Sequence, residues 1–236
     1  MKPLILLVSC LLPTVILSQN FDDVIIKTTK VTDHIYMLEG SGGNIGVSIG
    51  ADGALMIDSQ YAPLSDRIKN AIAELTEQPI QMLVNTHWHG DHVGGNENFA
   101  RLGAMIFAHD NVKERMSKTQ LMRFFTKEIP PAPEIARPVV TFSDKMSIKC
   151  HGEYLLMIHV DSAHTDGDAL VYFPESDVLH MGDTYFNGRY PFIDLSSGGS
   201  IDGVIAAAEK AIFLTGENTK IIPGHGALSN KEELIQ

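Results

Sequence analysis

Between Asn85 and Asn96 the chain reads Asn-Thr-His-Trp-His-Gly-Asp-His-Val-Gly-Gly-Asn. Four side chains able to donate to a metal fall within six residues: His87, His89, Asp91 and His92. All offer nitrogen or oxygen, which Zn2+ accepts. If strand geometry persists past Thr86, His87 and His89 point the same way, because side chains alternate with period two. Gly90 lets the backbone turn sharply, so Asp91 and His92 can aim at a second point close by. One strand end can thus serve two adjacent metal ions. A chance cluster of polar residues on a loop is a poor account of such density.

Three later residues stand in similar settings. His164 lies in Ser162-Ala163-His164-Thr165-Asp166-Gly167-Asp168, Asp183 in His180-Met181-Gly182-Asp183, and His225 in Pro223-Gly224-His225-Gly226. Each is a polar residue in a glycine-containing loop after an apolar run, where a site can be built without disturbing a core.

The elements that must position them follow from hydrophobic pattern. Residues 23–31, 34–38, 45–49 and 54–57 predict strands, with Asp52-Gly53 as a hairpin signal. Ile68, Ile72 and Leu75 have helical spacing within 65–76. The apolar run 80–84 delivers the histidine-rich loop. A short helix is expected over 96–101, a strand over 104–108 and a second helix over 111–125. Ile129-Pro130-Pro131-Ala132-Pro133 breaks the pattern, so residues 127–137 form either an interdomain linker or a specificity loop near the site. Strands return over 139–142, 146–150, 154–160, 169–173 and 178–181. A helix over 201–214, a strand at 221–222 and a short helix over 231–235 complete the chain. Two β-rich halves, each with helices, predict an α/β (α+β) fold: a four-layer αβ/βα sandwich with its site at one edge of the packed sheets.

Composition bounds the function. The chain has 236 residues and a net charge of -11, which argues against a general nucleic-acid binder. Residues 1–18 have Lys2 followed by the almost wholly apolar stretch 4–17, the pattern of a cleaved secretory signal peptide. It is too short to cross the ~30 Å hydrocarbon core comfortably. Export to the periplasm or medium is therefore expected, with a single domain over 19–236 and no stable membrane association after cleavage. Cys10 as a lipidation site fits less well, since hydrophobicity continues past it. Cys150 would then be the sole cysteine, a buried thiol without a disulfide partner. His34, His109, His151 and His159 lack ligand context and are read as structural or surface residues. His180 is read as packed. Trp88 either walls the site or packs beneath the loop, and Asp168 either bonds within the His164 loop or forms a simple turn.

The seven residues together resemble the metallo-β-lactamase superfamily, whose H-x-H-x-D-H motif matches His87, His89, Asp91 and His92. Its later histidine, bridging aspartate and final histidine match His164, Asp183 and His225. The resemblance spans roughly residues 31–226 and implies an αββα sandwich. It also implies a first metal on His87, His89 and His164, a second on Asp91, His92 and His225, and Asp183 between them. Two zinc ions per chain are implied, with other divalent metals or iron as alternatives. A metal-bridging hydroxide would then attack a substrate carbonyl, with Asp91 orienting it or passing a proton to the leaving group. Asp58 resembles the family's aspartate that fixes a ligand's orientation from behind; its plainer reading is a turn or capping residue.

The chain departs from the familiar zinc β-lactamases at two places. Asp183 stands where they carry cysteine, and Phe186 where they carry a lysine for the substrate carboxylate. Arg189 and Lys145 are alternative anion anchors. The expected activity is hydrolysis of a small ester, lactone, thioester or amide, extending to slow β-lactam hydrolysis. A phosphodiesterase fits less well, because the chain ends soon after His225 with no appended nucleic-acid-binding domain. The rival is a mononuclear-iron persulfide-type oxidoreductase on the same fold. A metal-binding protein without catalysis is a third reading. The expected partner is a small-molecule substrate, and the oligomeric state is left open.

Overall fold

Residues 53–57 and 169–173 are near-continuous apolar runs because each is covered on both faces. The computed structural model describes residues 20–236, so the expected signal segment 1–18 lies outside the described residues. Six strands come first: β1 (Lys27–Lys30), β2 (Ile35–Glu39), β3 (Ile45–Gly50), β4 (Gly53–Ile57), β5 (Ile80–Val84) and β6 (Met105–His109). The hairpin strands β7 (Gln120–Met122) and β8 (Lys127–Ile129) follow, then β9 (Val140–Phe142). The second half holds β10 (Lys145–Cys150), β11 (Glu153–His159), β12 (Ala169–Phe173), β13 (Val178–His180), β14 (Lys220–Ile222) and β15 (Ser229–Asn230). The helices are α1 (Ser65–Ala73), α2 (Gly90–Val93), α3 (Asn96–Arg101), α4 (Asp110–Met116), α5 (Ile201–Leu214) and α6 (Lys231–Ile235).

One sheet has the order β1-β2-β3-β4-β5-β6-β9 and the other runs from β10 to β15 in sequence order. Alternation along single strands shows how they are layered. In β4, Leu55 and Ile57 enter the core between the sheets, while Ala54 and Met56 pack outward against Leu64, Ile68 and Ile72 at α1. In β12, Val171 and Phe173 point into the shared core, and Leu170 faces Ala207 and Ala211 of α5. Helices therefore cover each sheet on its outer side, giving the four-layer sandwich. No helix among the described residues is long and apolar enough to cross a membrane.

Strand direction decides where the loops emerge. β4, β5 and β6 are mutually parallel, so Asp58 after β4 and His87 after β5 leave at one edge. β13 and β14 are also parallel, which brings the loops bearing Asp183 and His225 out side by side. Phe186 and His225 then form a parallel bridge.

The helix expected over 111–125 ends at Met116. Beyond it the chain turns into the β7–β8 hairpin, and Met122 and Ile129 pack against Trp88, Ala108, Val112 and Met116. Burying those two side chains outweighs the weak helical preference of the segment, a tertiary override of local propensity. Residues 127–137 carry β8 and part of the wall of the site.

Candidate metal centre

All seven ligand-type residues meet at the edge defined by these strand ends. Donor atoms of His87, His89, His164 and Asp183 lie within 4.8 Å of one another, and so do those of Asp91, His92, Asp183 and His225. Asp183 belongs to both groups through different oxygens. Its Oδ2 is 3.9 Å from His87 Nε2 and 3.5 Å from His164 Nε2. Its Oδ1 is 3.0 Å from His92 Nε2 and 3.4 Å from His225 Nε2. Asp91 Oδ2 completes the second group, 3.7 Å from His92 Nε2 and 3.3 Å from His225 Nε2.

The outward nitrogens of four imidazoles are held by oxygen acceptors. His92 Nδ1 donates to Asp58 Oδ2 at 2.8 Å, and His89 Nε2 to Asp194 Oδ2 at 3.0 Å. His164 Nδ1 donates to the carbonyl of Phe192 at 2.5 Å, and His87 Nδ1 lies 3.1 Å from Thr86 Oγ1. In its neutral form, the form a metal needs, a ring whose proton is committed outward presents a lone pair inward. His89 Nδ1 and His164 Nε2 then face one another at 2.8 Å, lone pair to lone pair. A cation between such groups removes the repulsion. His87 Nε2, His92 Nε2 and Asp183 Oδ1 are buried without a hydrogen-bond partner. Buried polar atoms are rarely left so, and nitrogen and oxygen donors of this kind fit divalent metals such as zinc.

The charges are set by competition between burial and neighbours. Burial opposes ionisation of Asp183, yet the surrounding histidines hold its carboxyl well below the usual range. Burial also opposes charge on His225, but Asp183 and Asp91 raise it to about 9. His164 is pushed down to about 4, by burial first, and His87 is lowered for the same first reason. Burial likewise raises Asp168 to about 8, although it accepts from the Thr165 amide at 2.8 Å and from the Thr165 hydroxyl.

Asp58 is fully enclosed and has a positive φ of 66°. It accepts from the Thr86 amide at 2.8 Å and the Thr86 hydroxyl at 2.7 Å as well as from His92. It thus joins the ends of two parallel strands to one imidazole. Two glycines make room for the site. A Cβ on Gly43 would fall 2.0 Å from the His92 ring, and one on Gly224 would fall 2.1 Å from Asp183 Oδ1.

Sequence reasoning missed several partners. Asp194 had only the signature of a turn or cap before Ser196 and Ser197, and it does cap that turn through Ser196 N. Burial raises its proton affinity, but bonds from His89, Ser196 and Ser197 outweigh this and keep it well below the usual carboxylate range. Asn85 and Asn96, which bracket the histidine-rich stretch, exchange amide hydrogen bonds at 3.1 and 2.8 Å and so tie its ends together. Trp88 both lines the site and packs beneath it, donating to Ser197 Oγ at 3.2 Å. His34, His109, His151, His159 and His180 belong to neither donor group.

A cavity of about 490 Å³ opens over the donors, with Asp91, His89, His164, Asp183 and His225 at its floor. Phe186 lines it, its ring against His225 at 4.6 Å. The Arg189 guanidinium lies 5.0 Å from the Phe186 ring and, like Lys145, is not part of the cavity wall.

With this geometry established, comparison with known proteins places it. The sequence profile of the metallo-beta-lactamase superfamily matches residues 38–225, and the chain belongs to that superfamily. It is 21% identical to the metallo-beta-lactamase type 2 of Bacteroides fragilis, over 98% of this chain and 92% of that one. It is 26% identical to a hydroxyacylglutathione hydrolase of Nitrosococcus oceani, over 75% of this chain and 59% of the relative. Among solved structures, a metallo-beta-lactamase from Pontibacter korlensis superposes with a TM-score of 0.71 at 18% identity, covering 89% of this chain and 95% of that one. The DIM-1 metallo-beta-lactamase gives the same TM-score and identity over 90% and 95%. These likenesses establish the fold. The superfamily and the two histidine–aspartate groups together define a metal-dependent hydrolase.

Proposed function

We propose that this hydrolase binds two zinc ions and cleaves a small ester, lactone, thioester or amide, with β-lactams as slower substrates. The observation that carries the reading is the division of Asp183, whose two oxygens face two separate histidine groups. His87, His89 and His164 would hold one ion, Asp91, His92 and His225 the other, and Asp183 would touch both. When bound, such a pair supplies a nucleophile from water near neutral pH and polarises the carbonyl oxygen.

The chain's own residues provide the rest. Asp58, Asp194 and the Phe192 carbonyl orient three imidazoles through their outward nitrogens, so that the nitrogen facing the donor groups is the one that would hold a metal. Asp91 lies on the cavity floor, and although burial opposes its charge, His92 and His225 hold it below the usual carboxylate range. It is therefore ionised at neutral pH, placed to accept a proton from water and pass it to the leaving group. Trp88, Phe186 and Phe192 limit water around the scissile bond. The complete second donor group supports two ions rather than the single iron of a persulfide-type oxidoreductase. Residues 1–18 support export to the periplasm or medium.

The test is metal content together with a substrate panel, on mature chain purified without added metal. The panel holds a cephalosporin, a carbapenem, an acyl lactone, a thioester and a bis-aryl phosphodiester. About two zinc ions per chain, with chelator-sensitive turnover of a carbonyl substrate, are expected. One iron per chain with no hydrolysis overturns the reading. Asp183→Asn should lose both ions together.

A further inference from the structure

The cavity over the donor groups is overhung by the β7–β8 hairpin. Its register pairs Gln120 with Ile129 and Met122 with Lys127. Alternation therefore places Gln120, Met122, Lys127 and Ile129 on one face and Leu121 and Glu128 on the other. All four of the first set line the cavity, and neither of the second does. Lys127 is the only charge on the inward face, and the acid next to it in sequence is turned away.

The Lys127 ammonium, on an exposed side chain, makes no ion pair or hydrogen bond among the described residues. The other cation in the wall, Arg115, is held by Asp166, with Nε to Oδ1 at 2.6 Å and Nη2 to Oδ2 at 2.7 Å. Around Lys127 the wall is apolar, formed by Met122, Phe125, Ile129 and Phe192. The rings of Phe125 and Phe192 lie 5.6 Å apart, so hairpin and floor loop make one aromatic surface. An apolar recess with one unengaged ammonium fits a ligand that is apolar along its length and carries one negative group.

We propose that the hairpin is a specificity element and that Lys127 is a substrate-positioning residue. It receives a carboxylate on the substrate, whose apolar portion packs beneath Met122, Phe125 and Ile129. The substrate class is then an amphiphilic carbonyl compound bearing a carboxylate remote from the scissile bond. This rests on the reading of the donor groups as a hydrolytic centre, and its test separates the two.

The zinc-loaded protein and its Lys127→Ala, Lys127→Glu and Lys127→Arg variants are assayed with two esters of one leaving group. These are para-nitrophenyl hexanoate and the mono-para-nitrophenyl ester of adipate, which differ by a terminal carboxylate. Binding of phenylbutyrate and of the neutral phenylbutanol is measured separately by calorimetry, without turnover. Losing one charge-assisted contact should lower kcat/KM for the adipate ester about tenfold, mainly through KM, and change the hexanoate ester less than about twofold. Lys127→Glu should lower it further and Lys127→Arg should restore it. Phenylbutyrate should lose affinity in parallel while phenylbutanol does not, and a carboxylate held only by the metals is unaffected by these changes. Equal effects on charged and neutral ligands, or none on either, overturn the proposal. Turnover with no dependence on Lys127 leaves the hydrolase and removes this inference. Lys127-dependent binding without turnover does the reverse.

Discussion

Asp58 and His92 are 34 residues apart in sequence, yet Asp58 Oδ2 accepts from His92 Nδ1 at 2.8 Å with both side chains fully enclosed. The same carboxylate accepts two bonds from Thr86. One buried acid therefore sets the tilt of an imidazole in the second donor group and pins the strand end that carries the first.

Removing that acid should weaken the second group more than the first. Asp58→Asn keeps the shape but no longer accepts from all three donors. Loss of such a partner typically costs about 10–100-fold in metal affinity. Competition with a chromophoric chelator should show one zinc weakened by that order and the other changed less. Unaltered affinity for both would falsify the orienting role and leave Asp58 a turn residue.

Zinc uptake should release protons at neutral pH. In the metal-free protein His225 has a pKa of about 9 and His92 is also raised, both against Asp183 and Asp91. A raised pKa means the protonated ring is the form present at pH 7, whereas the metal needs the lone pair. Affinity should therefore climb as pH rises from 6 towards about 9. Calorimetry in buffers of differing ionisation heat measures the protons released, and a pH-independent affinity from 6 to 9 contradicts the account.

Cys150 should be inert while the protein is folded. It is buried, and burial pushes its thiol up to about 11, so almost no thiolate exists at neutral pH. A chromogenic disulfide reagent should react only after denaturation. Rapid labelling of the native chain, with activity retained, speaks against this environment.

The opposite end of the sandwich offers a change that tests stability alone. Glu153, buried on β11, accepts from the Ser176 amide at 3.1 Å, the Ser176 hydroxyl at 2.8 Å and His34 Nε2 at 2.7 Å. This ties the start of β2 in one sheet to the β12–β13 turn of the other. Glu153→Ala leaves those donors without their acceptor and should cost about 1–3 kcal/mol in denaturant unfolding. Zinc content and turnover should stay at wild-type levels; a parallel loss of metal indicates coupling between the two ends.

The sequence by itself determined the donor types and most strand positions, because both are local. His87, His89, Asp91 and His92 lie within six residues, and the run Ile80–Val84 is the observed β5. The helices Asn96–Arg101 and Ile201–Leu214 also agree to the residue. Tertiary structure alone decided which nitrogen of His89, His92 and His164 faces inward, since that depends on acceptors far along the chain. His89 takes its orientation from Asp194, 105 residues away, and His164 from the Phe192 carbonyl. The β7–β8 hairpin was likewise illegible, because residues 117–129 have no decisive period of their own. They take strand form where Met122 and Ile129 find an apolar surface supplied by Trp88, Val112 and Met116.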